Sequence, residues 1–334
     1  MTVFLTVLLS IIGAIVGILL LAVLLLWFGP HSLTSKTIRR IFTFTHSVPP
    51  PNISEICAQI TTHTDIKYPS ASPENTLDLY LPTQTALTPP LILWIHGGGF
   101  IGGDKSDATY FAQTLASHGY AVATINYLRS PESQYPSALR QLNEAYAFLL
   151  AQAATYRYNP HKIILAGDSA GSHIATQAAL YATNPRYRDM VDFHIDVPPA
   201  DLAAILLYCG LLSMSDMIAP DQNPIVRKIA SQVAHSYFGK KDWHHGKLAE
   251  QLDLFAHITR DFPPTFLTDG NARSFEPQAR AMQRALETHN VIHQTLFFTE
   301  KDGQIPHEYQ FSQNKKSAQQ CMENTIRFLQ IGFS

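Results

Sequence analysis

Ser169 lies in Gly167-Asp168-Ser169-Ala170-Gly171, a G-x-S-x-G run between an apolar stretch at 162–166 and a small-residue stretch at 172–180. A strand that turns sharply into a helix at a serine needs small residues on both sides, because a larger side chain would crowd the strand or the helix. The turn lifts the hydroxyl to the end of the strand. It also sets it at a helix N-terminus, whose dipole and free N–H groups favour negative charge. A nucleophile that passes through an oxyanion needs that setting. A surface serine in a glycine turn gives the same string, but the strand before it and the helix after it favour the nucleophile.

His96-Gly97-Gly98-Gly99-Phe100 closes another apolar run, 91–95, about 70 residues upstream of Ser169. Three successive glycines leave bare N–H groups that can donate to an oxyanion, and the N–H of Ala170 would complete the hole. A phosphate cradle of the Walker type needs a Gly-Lys-Ser/Thr ending. Gly103-Asp104-Lys105-Ser106 lacks that order.

With both motifs present, the chain resembles the α/β-hydrolase family and, within it, the hormone-sensitive-lipase-like esterases. Residues 126–132 and 135–139 reinforce the resemblance, as does His307-Glu308-Tyr309-Gln310-Phe311 near the end, and it covers roughly residues 60 to 334. It implies a serine carboxylic-ester hydrolase working through an acyl-enzyme on short-to-medium acyl esters. Ser169 would be the nucleophile, and Gly98, Gly99 and Ala170 the oxyanion donors. The implied base is His307, in the loop between the last strand and the closing helix. Neither a metal nor a cofactor is implied, and the substrate is a small-molecule ester. His173 is a rival base, but it sits on the nucleophile's own helix and should point away. The third member, an acid, orients the imidazole and stabilises its charged form. The family's usual place for it, about two residues past the strand's glycine, is Ala272 here. Asp269, immediately before Gly270, is preferred, with Glu276 and Asp302 as alternatives. That departure keeps open a membrane-tethered binding protein with a disabled site, and a peptidase or acyltransferase of the same fold is the other alternative.

The remaining elements must position these groups. Apolar runs at 91–95, 120–125, 162–166, 202–209, 265–268 and 295–298 alternate with helical patterns at 110–118, 139–153, 278–289 and 313–330. Shorter strands are expected at 65–68 and 77–81. Such alternation predicts an α/β domain with a mostly parallel central sheet and helices on both faces. Residues 211–262 break the pattern and, by the resemblance, form a lid insertion over the site.

The chain has 334 residues, a formal net charge of -2 and 3 cysteines. No basic stretch suggests a nucleic-acid surface, and an odd, sparse cysteine count argues against a disulfide framework. Residues 3–28 carry no charge. At 1.5 Å per residue they would reach roughly 39 Å, against about 30 Å of bilayer hydrocarbon. They are read as one N-terminal transmembrane helix within a 1–30 anchor, followed by a juxtamembrane linker at 31–60 and the hydrolase domain at 61–334. Lys36, Arg39 and Arg40 after the span then place the domain in the cytoplasm, as a single-pass membrane protein.

Overall fold

The computed structural model describes residues 29–42, 47–84 and 87–331, together with 4, 7, 9–13, 17 and 27. Eight strands form one sheet: β1 (Ile60–Lys67), β2 (Thr76–Pro82), β3 (Pro90–Ile95), β4 (Ala121–Ile125), β5 (Asn159–Asp168), β6 (Leu202–Tyr208), β7 (Thr265–Asp269) and β8 (His293–Phe297). Their order is β1-β2-β4-β3-β5-β6-β7-β8. β1–β2 and β2–β4 pair antiparallel, and every other pair is parallel. Seven helices matter below: α1 (His31–Phe42), α2 (Thr109–Ser117), α3 (Ser137–Tyr156), α4 (Ala170–Thr183), α5 (Pro224–Phe238), α6 (Glu276–Thr288) and α7 (Lys316–Ile331).

The continuous apolar strands are explained by burial on both faces. In β3, Leu91, Leu93 and Ile95 join one core layer, to which α3, α4 and α6 contribute. Ile92 and Trp94 point into the other, filled by α2 and α7. The parallel strands therefore end together at one edge, and the loops beyond β3, β5, β7 and β8 converge there. β1 begins earlier than its sequence pattern suggests. Its register shifts between His63 and Ile66, with Asp65 at a φ of 57°, so the alternation is broken mid-strand. That bulge brings the exposed Asp65 to a buried ion pair between Lys105 and Asp78. Lys105 Nζ lies 2.6 Å from Asp78 Oδ1 and 3.0 Å from Asp65 Oδ1, and Asp78 also accepts the Asp65 N–H at 2.8 Å.

The expected membrane anchor, and with it the single-pass cytoplasmic placement and the membrane as partner, is corrected here. Among the described residues no helix is long and apolar enough to cross a membrane. Most of the segment 3–28 lies outside the described residues. The cations used to orient it also have partners on the domain. Arg39 donates to the carbonyls of Ile101 and Ser130 and to the Glu132 carboxylate, and Lys36 Nζ sits 3.5 Å from Glu132. A flanking charge bound to its own protein is no guide to topology. α1 packs against α5 and buries Ile38.

Candidate active site

The turn at Ser169 is strained as the motif requires. Ser169 has a φ of 50° and a ψ of -116° between β5 and α4. Non-glycine residues hold such a conformation only where the surroundings impose it. Here the Ser169 N–H donates to Tyr208 O at 2.9 Å, and Ser169 O accepts from Leu211 N at 3.0 Å. The flanking glycines are needed for space. A Cβ on Gly167 would lie 2.4 Å from Gly171 C, and one on Gly171 would lie 2.0 Å from Ile95 O. The Ser169 hydroxyl is 3.1 Å from His307 Nε2.

The glycine loop after β3 is bound to the same turn. Asp168 Oδ2 accepts the Gly97 N–H and Oδ1 accepts Trp94 Nε1–H, both at 2.8 Å. The loop curls through positive φ at Gly98, Gly99 and Phe100. Gly102 N–H donates to Gly98 O at 2.8 Å. His96 is buried behind it, stacked on Tyr127 with centroids 4.3 Å apart. Burial lowers the His96 ring to about 4, so it is neutral and its Nδ1 can donate to Gly97 O at 2.8 Å. Gly98 and Gly99 line the same cavity as Ser169 and His307. Ala170 is the first residue of α4, so its N–H stands at a helix N-terminus beside the hydroxyl.

The ring of His307 is 28% exposed. Burial lowers it to about 4, which leaves the ring unprotonated at neutral pH. Phe275 packs edge-on against it, with centroids 4.9 Å apart. Its Nδ1 is 2.9 Å from Ser274 Oγ, and Ser274 Oγ–H donates to Asp269 Oδ1. Asp269 is fully buried at the end of β7. Burial raises its carboxyl to about 7, opposed by hydrogen bonds from Ser274 and from the Gly270 and Phe275 amides. Asp269 therefore reaches the ring through a serine that sequence reasoning missed. The other two acids are engaged elsewhere. Glu276 opens α6 and pairs with Arg280 at 2.7 Å, and Asp302 closes a turn by accepting from Thr299 N and Oγ1 at 2.7 and 2.8 Å. His173 lies 3.2 Å from Leu211 O through Nδ1 and packs on Phe100. Ala272 donates its N–H to Ile305 O at 3.0 Å.

Glu308 was passed over as a neighbour of the base. Its Oε1 is 3.7 Å from His307 Nε2, and its carboxyl meets that of Asp168 behind Gly97. Burial raises Glu308 to about 7. Burial and the Glu308 charge push Asp168 well up. The ligand atoms of Cys209, Asp269 and His307 fall within 4.8 Å of one another. Burial pushes the Cys209 thiol well up, and a protonated thiol is a poor ligand. The Ser274 hydroxyl already bridges the other two.

The cavity above Ser169 is about 340 Å³. Its walls come from Met214, Met217, Val226, Ile229 and Val233 of the 211–262 segment, with Ile38 of α1. Tyr237 of α5 stacks on Phe100 at 4.0 Å, which ties that wall to the glycine loop.

The family model BD-FAE matches residues 77–285, more than half of the chain. An acetyl esterase of Salmonella schwarzengrund (strain CVM19633) is 28% identical over 221 residues, which is 64% of each chain. The match thus spans 64% of that relative's length. The fold superposes on esterase B from Lactobacillus Rhamnosis (HN001), with a TM-score of 0.72, 21% identity, and coverage of 90% of this chain and 93% of that one. An esterase from the bacterial hormone-sensitive lipase family gives a TM-score of 0.65 at 20% identity, covering 90% and 92%. The matched residues span β2 to α6 and so include the glycine loop, the serine turn and Asp269. The chain belongs to the BD-FAE family and has the α/β-hydrolase fold of these esterase structures.

Proposed function

We propose that the protein is a carboxylic-ester hydrolase that uses Ser169 to form an acyl-enzyme on short-to-medium acyl esters. The observation that carries the reading is the 3.1 Å approach of Ser169 Oγ to His307 Nε2, at the floor of an apolar cavity that also exposes Gly98 and Gly99. His307 takes the hydroxyl proton as Oγ attacks the ester carbonyl. The oxyanion receives N–H groups from Gly98, Gly99 and Ala170. The proton on Nε2 then passes to the leaving alcohol, and the same nitrogen deprotonates the water that frees the acid. Asp269 holds the ring in the tautomer with hydrogen on Nδ1. The apolar wall from 211–262 works as a lid that receives the acyl chain. The relatives' names support the class: acetyl esterase and esterase B.

Two measurements test it. A fluorophosphonate probe should label the protein and fail to label Ser169→Ala. A series of p-nitrophenyl esters from acetate upward should be cleaved, whereas aminoacyl amides should not. Labelling that persists in Ser169→Ala, or turnover of amides alone, would overturn the proposal.

A further inference from the structure

In the proposed reaction the acid must favour an imidazolium it does not touch. Asp269 Oδ1 accepts from Ser274, and Ser274 Oγ is the atom within 2.9 Å of His307 Nδ1. We propose that Ser274 is a positioning residue that couples Asp269 to His307, so that the ring is oriented and its charge stabilised through a hydroxyl. The inference rests on His307 being the base for Ser169.

The direction of each hydrogen bond follows from counting donors. A serine hydroxyl has one hydrogen to give and two lone pairs to receive with. An ionised Asp269 can only accept, so the hydroxyl hydrogen goes to Oδ1. Ser274 Oγ can then only accept from the ring, which requires hydrogen on Nδ1. That leaves the Nε2 lone pair facing Ser169, as a general base needs. When Ser169 gives up its proton, the proton ends on Nε2, and the Nδ1–H stays shared with Ser274. The hydroxyl stays donated to Asp269, and no proton reaches the carboxylate. The positive ring thus has the buried Asp269 one hydroxyl away from Nδ1, while Glu308 Oε1 faces Nε2 at 3.7 Å.

The loop geometry holds this arrangement. Asn271 Nδ2 donates to Thr299 O at 3.0 Å and to Gly303 O at 2.9 Å, and its Oδ1 accepts from Ile305 N at 2.8 Å. The loop after β7 is thereby clamped to the loop that carries His307. Arg273, at a φ of 52°, turns the chain back so that Ser274 follows it against the ring. Phe275 then fixes the ring's plane from the side. A serine that merely capped α6 would bond the helix's amides, yet α6 has no side-chain cap at its start.

The test uses the full chain and p-nitrophenyl acetate. Ser274→Ala should lower kcat about 10- to 100-fold, the loss of one hydrogen bond to a charged group, with KM within about twofold. Its acid limb in kcat/KM should move to lower pH, because the ring loses its link to the carboxylate. Ser274→Thr, which keeps a hydroxyl, should restore most of kcat, and Ser274→Cys should fall between. Ser274→Ala combined with Asp269→Asn should be no slower than Asp269→Asn alone, since both break one chain. A Ser274→Ala enzyme with wild-type kcat and an unmoved acid limb overturns the coupling. So does a double variant whose losses multiply, or a Thr variant as slow as a folded Ala variant. If Ser169→Ala keeps activity and labelling, the parent reading has failed. If Ser169→Ala is dead while Ser274→Ala is wild-type, only the coupling has failed.

Discussion

Gly171→Ala tests how the nucleophile turn and the oxyanion loop are built against each other. The added Cβ would sit 2.0 Å from Ile95 O and 2.8 Å from both Ile95 C and His96 O, where ordinary contact begins at 3.4 Å. All three neighbours are backbone atoms, so something must move by more than 1 Å. β3 cannot yield easily, because Ile95 is paired on one side with Ile125 and on the other with Gly167. Overpacking of this kind costs about 1–3 kcal/mol even where side chains can shift, so a loss of about 3 kcal/mol or more is expected. The part of β3 that gives leads directly into His96 and the glycine loop. A misplacement of about 1 Å there should cost about 100-fold in rate. Urea unfolding followed by circular dichroism, with kcat/KM on p-nitrophenyl acetate, reads both effects. Gly102→Ala is the control. Its Cβ meets nothing closer than Gly98 O at 3.4 Å, so stability should change by less than about 0.5 kcal/mol. A Gly171→Ala protein with wild-type midpoint and turnover would refute the claim that strand and turn are in contact.

Lys105→Met should cost about 3–5 kcal/mol by stranding the buried Asp78 carboxylate. Adding Asp78→Leu should recover most of that in urea titrations, and a single variant as stable as wild type would count against the cluster. Asp168→Asn leaves one acceptor for two donors, Trp94 Nε1–H and the Gly97 N–H. It should cost about 1–3 kcal/mol and lower kcat as the loop loosens, and an unchanged unfolding midpoint would contradict this. The pH profile of kcat/KM should show an acid limb near 7. Burial raises Asp269 to about 7 and lowers His307 to about 4. The carboxylate's support is therefore present above about 7 and lost as pH falls, and a flat profile from about pH 5 to about pH 9 would rule this out.

The fold and half of the site are legible because their requirements are local. Gly97, Gly98, Gly167 and Gly171 are dictated by close approach, since a Cβ at each would lie within 3 Å of neighbouring atoms, so their spacing can be read directly. The buried strands are legible for a similar reason, since apolar runs on both faces leave one arrangement. Ser274 was not legible. A serine carries no pattern, and its role depends on a positive φ at Arg273 and a clamp from Asn271 to a loop about 30 residues on. β1 was read short because the bulge at Asp65 breaks its alternation. α1 falls in the stretch expected to be a juxtamembrane linker. An amphipathic basic helix suits a membrane surface or a protein groove, and its partner α5 lies nearly two hundred residues away. Hydropathy favoured a span for the segment before it, yet Arg39 and Lys36 are held by the domain's own acceptors.

Under the proposed mechanism, the charges around Ser169 follow one logic once their burial is considered. A ring held unprotonated by burial is ready to accept the Ser169 proton, but burial also makes it a weak base. The deficit must be made up when the imidazolium forms, and a buried carboxylate reached through Ser274 does so without exposing a full charge to the cavity. On the opposite side, Asp168 must stay near the glycine loop to hold Gly97. Two ionised carboxylates there would repel the developing oxyanion. Burial raises both Asp168 and Glu308, and the Glu308 charge raises Asp168 further, which disfavours a second charge there. The Asp168 oxygens are already turned toward Trp94 and Gly97. The buried Asp269 carboxylate thus stands behind the ring, where the cation forms, and Glu308 Oε1 lies 3.7 Å from Nε2 on the ring's other edge. That placement lowers the energy of the charge-separated transition state relative to the neutral ground state.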